Sequence, residues 1–341
     1  MNDRENLKEV FDLNSSKTKA MLRRAKLVTL IRTVTISALV FILLSAAILV
    51  ANARLLNRIG ADRFLEEYLI GLVARPNTYI THARFSDGFL VGELEYVCYR
   101  IVGDRPVYDG THRVAYGLIP FVKSVYGAGR AQLIQIENER SAYGVEFAYY
   151  NKLGHREMRF FHPHVGYETY PNDLALLEQM GEDKYVEVAI SFDQRYSLEE
   201  VHAMLPGGAR LVWYWVDTYD EQDLSRMKAQ YSDDTKQYGE ASVLFASQVY
   251  GIKAISSSGE ELEEPWNQFL AAVNSNANIK SRYQDVFRRL FEVLGNGKEE
   301  VTEEDIRVIG VVVTGDTQSM LLLRDIGCIK AATLGVVIGK L

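Results

Sequence analysis

Between Arg32 and Arg54 the chain runs for 21 residues without a charge, TVTISALVFILLSAAILVANA. Wound as a helix at about 1.5 Å per residue, such a stretch is roughly 31 Å long, the thickness of the hydrocarbon core of a bilayer. The remainder, in a chain that is 24% charged and 48% hydrophobic overall, has the composition of an ordinary globular protein. Residues 33–53 are therefore expected to form a single transmembrane helix. Two other readings compete. Ala51-Asn52-Ala53 would pass as a signal-peptide cleavage site, but the apolar region of a signal peptide is usually about 7 to 15 residues, and both this run and the segment before it are about twice too long. A buried core helix would have to be apolar on every face and packed on every face, and nothing downstream looks like its packing partners.

The flanks give the expected orientation, because basic residues near the ends of a span are retained on the cytoplasmic side. Lys17, Lys19, Arg23, Arg24, Lys26 and Arg32 precede the span with no acid among them, whereas Arg54, Arg58 and Arg63 beyond it are offset by Asp62, Glu66 and Glu67. These six residues read as the topology signal, with residues 1–32 cytoplasmic and residues 54–341 outside. The first 32 residues carry a net +4 and the rest of the chain −11, within the overall −7. An outer part so acidic is a poor partner for nucleic acid.

The cytoplasmic segment is short but patterned. Leu7, Val10 and Phe11 stand at i, i+3 and i+4 among charged residues, making a narrow apolar stripe. Asn14-Ser15-Ser16 offers a break and a cap, after which Lys17 opens a basic helix able to run into the span. About ten residues cannot fold alone in water, so the stripe is either a partner-binding face or part of a solvated tail.

The roughly 285 residues beyond the span suffice for two domains with their own cores. From 54 to 175 the chain is rich in Tyr, Phe, Gly and alternating residues, as in Gly88–Arg100 and Tyr143–Tyr150, and reads as mostly β after a short helical stalk from Asp62 to Val73. Pro171-Asn172-Asp173 and a short helix to Met180 mark a boundary. From 176 to 341 a β-α-β unit is expected: strand Val186–Phe192, a capping box at Ser197–Glu200 opening a helix to Met204, a stop at Pro206-Gly207-Gly208, and strand Leu211–Val216. A second β-α-β follows from Ile306 to Ile338, with Thr317–Asp325 as its helix, and helical segments are expected near Gly239–Ala246 and Trp266–Leu294. The fold class is thus α+β: a transmembrane helix, a mostly β domain and a pseudo-duplicated α+β domain. Cys98 and Cys328 are expected to be buried thiols rather than a disulfide, which suits a bacterial envelope protein.

Catalytic signatures are missing. No nucleophile elbow, zinc-protease motif, P-loop or dinucleotide fingerprint occurs in the sequence. His162-Pro163-His164, with His155 nearby, is a weak metal candidate and reads better as a turn with exposed imidazoles. Trp213-Tyr214-Trp215 could line a carbohydrate or peptide groove, but on a strand it would place Trp213 and Trp215 in the core on one face and Tyr214 on the other. No cofactor and no enzymatic activity are expected.

At this point the wording resembles a known family. Val188–Asp193, Tyr196-Ser197, Met204-Leu205-Pro206 and Val212–Tyr219, with Gly310–Gly315 and Ala331–Val336, are similar to the C-terminal domain of the sigma factor regulators of Gram-positive bacteria. The basic helix, the span and the Tyr-rich region resemble that family's N-terminal domain. The resemblance implies a membrane-bound anti-sigma factor that holds an extracytoplasmic-function sigma factor and releases it on an envelope signal. Leu7, Val10 and Phe11, extended by Met21 and Leu22, would be its contact. Many anti-sigma factors carry a larger cytoplasmic domain, so with 32 residues the affinity must come from a small interface, from the basic helix, or from a second membrane protein that completes the site. The rival reading is a membrane-anchored binding or scaffold protein of the envelope whose tail serves only as a topology signal.

Overall fold

In a computed structural model, residues 16–118, 131–134, 147–232 and 237–340 are described. Leu7, Val10 and Phe11 lie outside the described residues. One helix, α1, runs from Ser16 to Val73 without interruption, 58 residues or about 87 Å. The basic helix, the apolar run and the stalk are therefore one rod. The first glycine in it is Gly60, and no proline occurs within it. It ends where Pro76 disfavours helical backbone at the residue before it, with Arg75 and Asn77 both left-handed (φ 61° and 49°). Among the described residues α1 is the one helix long and apolar enough to cross a membrane. Among the described residues the most apolar 18-residue window of α1 is unburied, unlike the core helix of a soluble body. Thr29 and Thr33 return their hydroxyls to the carbonyls of Ala25 and Thr29, at 2.9 Å each, at the edge of the apolar run.

Beyond α1 come three antiparallel strands, β1 (Tyr79–Asp87), β2 (Val91–Val102) and β3 (Arg105–Gly117), then the pair β4 (Ala131–Ile134) and β5 (Phe147–Tyr150), and the short β6 (Arg159–Phe160). The part of α1 that follows the apolar run packs on the three-stranded sheet through Leu56, Leu94, Tyr96, Cys98 and Tyr116. Gly60 makes the approach possible, since a Cβ there would stand 2.9 Å from the Tyr116 ring.

The larger body is a five-stranded sheet of β7 (Lys184–Tyr196), β8 (Arg210–Val216), β12 (Gly251–Lys253), β13 (Val308–Asp316) and β14 (Ile329–Gly339), in the order β12-β8-β13-β7-β14 with every neighbouring pair antiparallel. The helix α2 (Leu198–Met204) joins β7 to β8, and α6 (Thr317–Leu321) with a 3-10 turn joins β13 to β14. Both strand-helix-strand segments form, and they interleave: β13 lies between β7 and β8, and β7 between β13 and β14. Leaving out the edge strand β12, the order is that of the split β-α-β, ferredoxin-like arrangement. Between the two segments stand α3 (Glu221–Met227), the two-residue strands β9 (Tyr231-Ser232), β10 (Gln237-Tyr238) and β11 (Leu244-Phe245), and the helices α4 (Trp266–Asn276) and α5 (Gln284–Gly295).

Helices cover one face of the sheet. There Val188, Ile190, Tyr214, Val216, Val311 and Leu334 meet Ile70 and Val73 of α1, Val201, Phe269, Val273, Phe287 and Leu290. The other face carries Ala189, Trp213, Trp215, Ile309 and Val312 against Met158, Phe160, Val165, Leu244 and Ile255. A sheet covered on both sides needs near-continuous apolar strands, which is why Val186–Phe192 and Val308–Gly315 are buried at every position.

The Ser197 capping box is present, with the side chains of Ser197 and Glu200 each taking the other's backbone N–H. One sequence expectation fails. Gly239–Ala246 is no helix, because Leu244-Phe245 instead pairs with Arg159-Phe160 and Leu244 is buried beside Phe160, a tertiary contact that overrides local propensity. The helical segments expected near Trp266–Leu294 are α4 and α5, separated by residues 277–283.

Candidate functional site

A chain whose apolar helix is continuous with its globular body must couple the two where they meet. Along the C-terminal part of α1, Leu56, Gly60, Phe64, Glu67 and Ile70 recur at helical spacing on the face turned to the body. Glu67 is the anomaly in that stripe: a carboxylate 1% exposed. It is satisfied by groups from three other places. Tyr96 of β2 donates its hydroxyl to Oε2 at 2.6 Å, Tyr283, just ahead of α5, donates to Oε1 at 2.6 Å, and the Arg75 guanidinium lies 2.9 Å from Oε2. Arg282 approaches Oε1 at 3.7 Å, while its backbone N–H donates to Glu66 at 3.2 Å. Arg75 also donates to the Tyr96 oxygen at 3.0 Å. One carboxylate thus ties the rod to the three-stranded sheet and to the helical layer of the larger body.

Burial, the largest single influence, raises the Glu67 carboxyl, but the hydrogen bonds from Tyr283 and Tyr96 and the Arg75 charge outweigh it, so the group sits below its ordinary value. Burial likewise pushes the Tyr283 hydroxyl up, to about 12 with the neighbouring carboxylate, keeping it a donor. A carboxylate whose folded pKa is depressed contributes stability that is present above its unfolded value, near 4.5, and lost as pH falls through the folded value. Denaturant unfolding of the full chain in detergent is expected to weaken as pH drops below about 4.5. The Glu67→Gln variant should lose part of that slope; an unchanged slope would refute the assignment.

A second polar joint lies behind the first. Glu187 of β7, fully buried, accepts from Asn77 at 2.7 Å, from Arg100 at 3.0 Å and from the Val336 N–H at 3.2 Å. Arg100 also pairs with Asp109 at 2.8 Å. Here the turn after α1 and strands β2 and β3 are fastened to the central sheet. Nearby, the β2–β3 hairpin and the loop at 257–259 enclose an open groove of about 500 Å³ lined by Tyr99, Tyr108, Arg105, Arg210, Ser257 and Ser258. Arg210 donates across it to the Gly103 carbonyl at 3.3 Å.

The residues singled out from sequence fall differently. Met21 and Leu22 lie in the first turns of α1, 71% and 46% exposed, about 18 Å before the apolar run. Lys17, Lys19, Arg23, Arg24, Lys26 and Arg32 are exposed along the same part of the rod. Trp213 and Trp215 are fully buried on one face and Tyr214 packs on the other, so the tryptophans cannot line a ligand groove. His162 is not an exposed turn residue but is fully buried. Its Nδ1 accepts the His164 N–H at 3.2 Å, which leaves the ring proton on Nε2, 3.3 Å from Asp217. Asp217 takes the Arg195 Nε at 2.5 Å as well, completing a structural tie between β7, β8 and the 161–167 turn. Among the described residues no three His, Cys, Asp or Glu side chains are grouped to hold a metal. Cys98 is a buried free thiol and Cys328 a half-buried one.

The Glu67 joint escaped the sequence because its partners stand 29 and 216 residues away. A glutamate on the apolar stripe of the stalk was the one available signal. Residues 177–336 match the family model described as sigma factor regulator C-terminal. No curated protein and no solved structure matches the chain. The matched segment contains Glu187, Arg282 and Tyr283, and so supplies the body's side of both joints.

Proposed function

We propose, from the premise that this chain belongs to the sigma factor regulator family, that it is a membrane-bound anti-sigma factor. In this reading residues 1–32 are cytoplasmic, 33–53 span the bilayer and 54–341 lie outside as two regulator domains, 54–175 and 176–341, the second a pseudo-duplication of the β-α-β unit. The cytoplasmic segment holds an extracytoplasmic-function sigma factor through Leu7, Val10, Phe11, Met21 and Leu22, and an amphipathic segment laid in a groove of a helical domain is a common mode of such recognition. The protein is a regulator and not an enzyme; its response is to an envelope signal in a Gram-positive cell, and a second membrane protein completes the interface if 32 residues do not suffice.

The observation that carries this reading is the unbroken helix from Ser16 to Val73. It joins the end bearing Met21 and Leu22 to the Glu67 joint with no proline between them, so a change in seating at the joint displaces or turns the other end. A transmitted signal needs two states that contact the partner differently, and the seated and unseated joint supply them. Retention of the span, rather than cleavage at Ala51-Asn52-Ala53, is favoured by Asn52, whose side chain bonds the Gly88 carbonyl at 2.9 Å and the Leu90 N–H at 2.7 Å.

The test is affinity purification of the tagged full chain from host membranes, with a Leu7→Asp, Phe11→Asp double variant as control and mass spectrometry as readout. A sigma factor is expected on the wild type and not on the variant. Equal recovery on both would remove the stripe from the interface. Recovery on neither would favour the envelope scaffold.

A further inference from the structure

The three-residue connection between β1 and β2 is Gly88-Phe89-Leu90, and it is built against the usual rules. Tight turns of this kind place Gly, Asn or Asp where the backbone is left-handed, because a bulky side chain is strained there. Leu90 nonetheless has φ +62°. Phe89 beside it is 57% exposed and Leu118, whose N–H bonds the Leu90 carbonyl at 2.8 Å, is 53% exposed. Phe85, one turn of the pleat away, is 45% exposed. In water this apolar group would be both strained and wetted.

The tip is also held rigidly. Gly88 N–H donates to the Val91 carbonyl at 2.8 Å, and a Cβ on Gly117 would stand 2.4 Å from the Leu90 carbonyl oxygen, so only glycine lets β3 close on the turn. The Asn52 amide grips both sides of the turn, donating to Gly88 and accepting from Leu90. Asn52 fixes the height of the tip along the rod: it is the next-to-last residue of the uncharged run 33–53, with Arg54 and Arg58 following. If that run fills the hydrocarbon core, the tip stands at its boundary, where aromatic and aliphatic side chains are favoured.

We propose that Phe89, Leu90 and Leu118 form a second, reversible contact with the lipid bilayer, seated at the interface beside the span. The apolar turn, with Leu90 strained and half-buried between the exposed Phe89 and Leu118, is then a lipid-facing foot that sets the tilt of the outer body over the membrane. This rests on the membrane-span reading of residues 33–53. Arg84, at the lower end of β1, is exposed on the same hairpin and suits the headgroup layer.

The experiment uses the full chain with Cys328→Ser and either Phe89→Cys or Tyr108→Cys, labelled with an environment-sensitive fluorophore and reconstituted in phosphatidylcholine vesicles. Cys98 is buried and its thiol pushed up to about 11, so it stays unlabelled in the folded chain. Tyr108 is 51% exposed, and its partner Tyr99 lies about 26 Å along β2 from the turn. A blue-shifted emission quenched by lipid spin-labelled near the headgroup is expected at position 89, with an aqueous, unquenched spectrum at position 108. An aqueous spectrum at both, in protein that resists extraction by urea, overturns the inference and leaves the span intact. Extraction by urea overturns the span, and the inference with it. An additional Asn52→Ala substitution, which frees the tip, should reduce the quenching at position 89; unchanged quenching would refute the role given to Asn52.

Discussion

Replacing Glu67 with alanine should destabilise the full chain by about 3 kcal/mol, at the lower end of what breaking a buried, hydrogen-bonded ion pair costs. The change strips an acceptor from Tyr96 and Tyr283 and the counter-charge from Arg75, in a site where the carboxylate is 1% exposed. The lower end applies because the Arg75 side chain is 26% exposed and recovers some solvation. For a body of this size the melting temperature should fall by about 6 to 12 °C in detergent. Tyr283→Phe, which removes one donor and keeps the ring, should cost about 1.5 kcal/mol. A loss under about 1 kcal/mol for Glu67→Ala would mean that the joint is not the principal tie between rod and body. In the anti-sigma reading the same variant also separates binding from response: the sigma factor is still held, but an envelope signal no longer changes how much is released.

Trp215→Ala should be more damaging still, by about 3 to 5 kcal/mol, because it empties the centre of the face opposite the helices. The Trp215 ring meets Phe160 edge-on at 5.3 Å and donates its Nε1–H to the Tyr219 oxygen at 3.3 Å. It also lies over Gly310 of β13, where a Cβ would be 2.9 Å from the indole and 2.4 Å from the Ile190 carbonyl oxygen. The cavity has rigid walls on both sides, so the neighbours cannot collapse to fill it. Trp215→Phe keeps most of the packing and should cost clearly less. Urea unfolding of the two variants compares them directly, and equal costs would show that the site relaxes around a lost indole.

How much of this was readable beforehand depended on how local the determining interaction is. The alternation in Trp213-Tyr214-Trp215 placed each ring on its observed face because side chains on a strand alternate by geometry. The Ser197 cap, the stop at Pro206 and the apolar run 33–53 are likewise settled within a few residues. The expected helix at Gly239–Ala246 failed because Leu244 answers to Phe160, some eighty residues earlier. His162 was misread for the same reason: its burial comes from Asp217 and the aromatic rings of Trp215 and Tyr219. The joint at Glu67 is wholly non-local, and no period or motif marks Tyr96, Arg282 and Tyr283 as belonging to one carboxylate.

The place of β13 in the sheet bears on how the protein comes to exist at all. Both flanking strands, β7 and β8, leave the ribosome about 90 or more residues before β13 does. Until then each presents an unpaired apolar edge, the kind of surface on which nascent chains associate wrongly. The order of synthesis thus demands a waiting period, during which β7 and β8 must be kept apart from other chains. Premature termination anywhere before β13 would leave them exposed for good, so truncated forms should be cleared or aggregate rather than persist as partly active fragments.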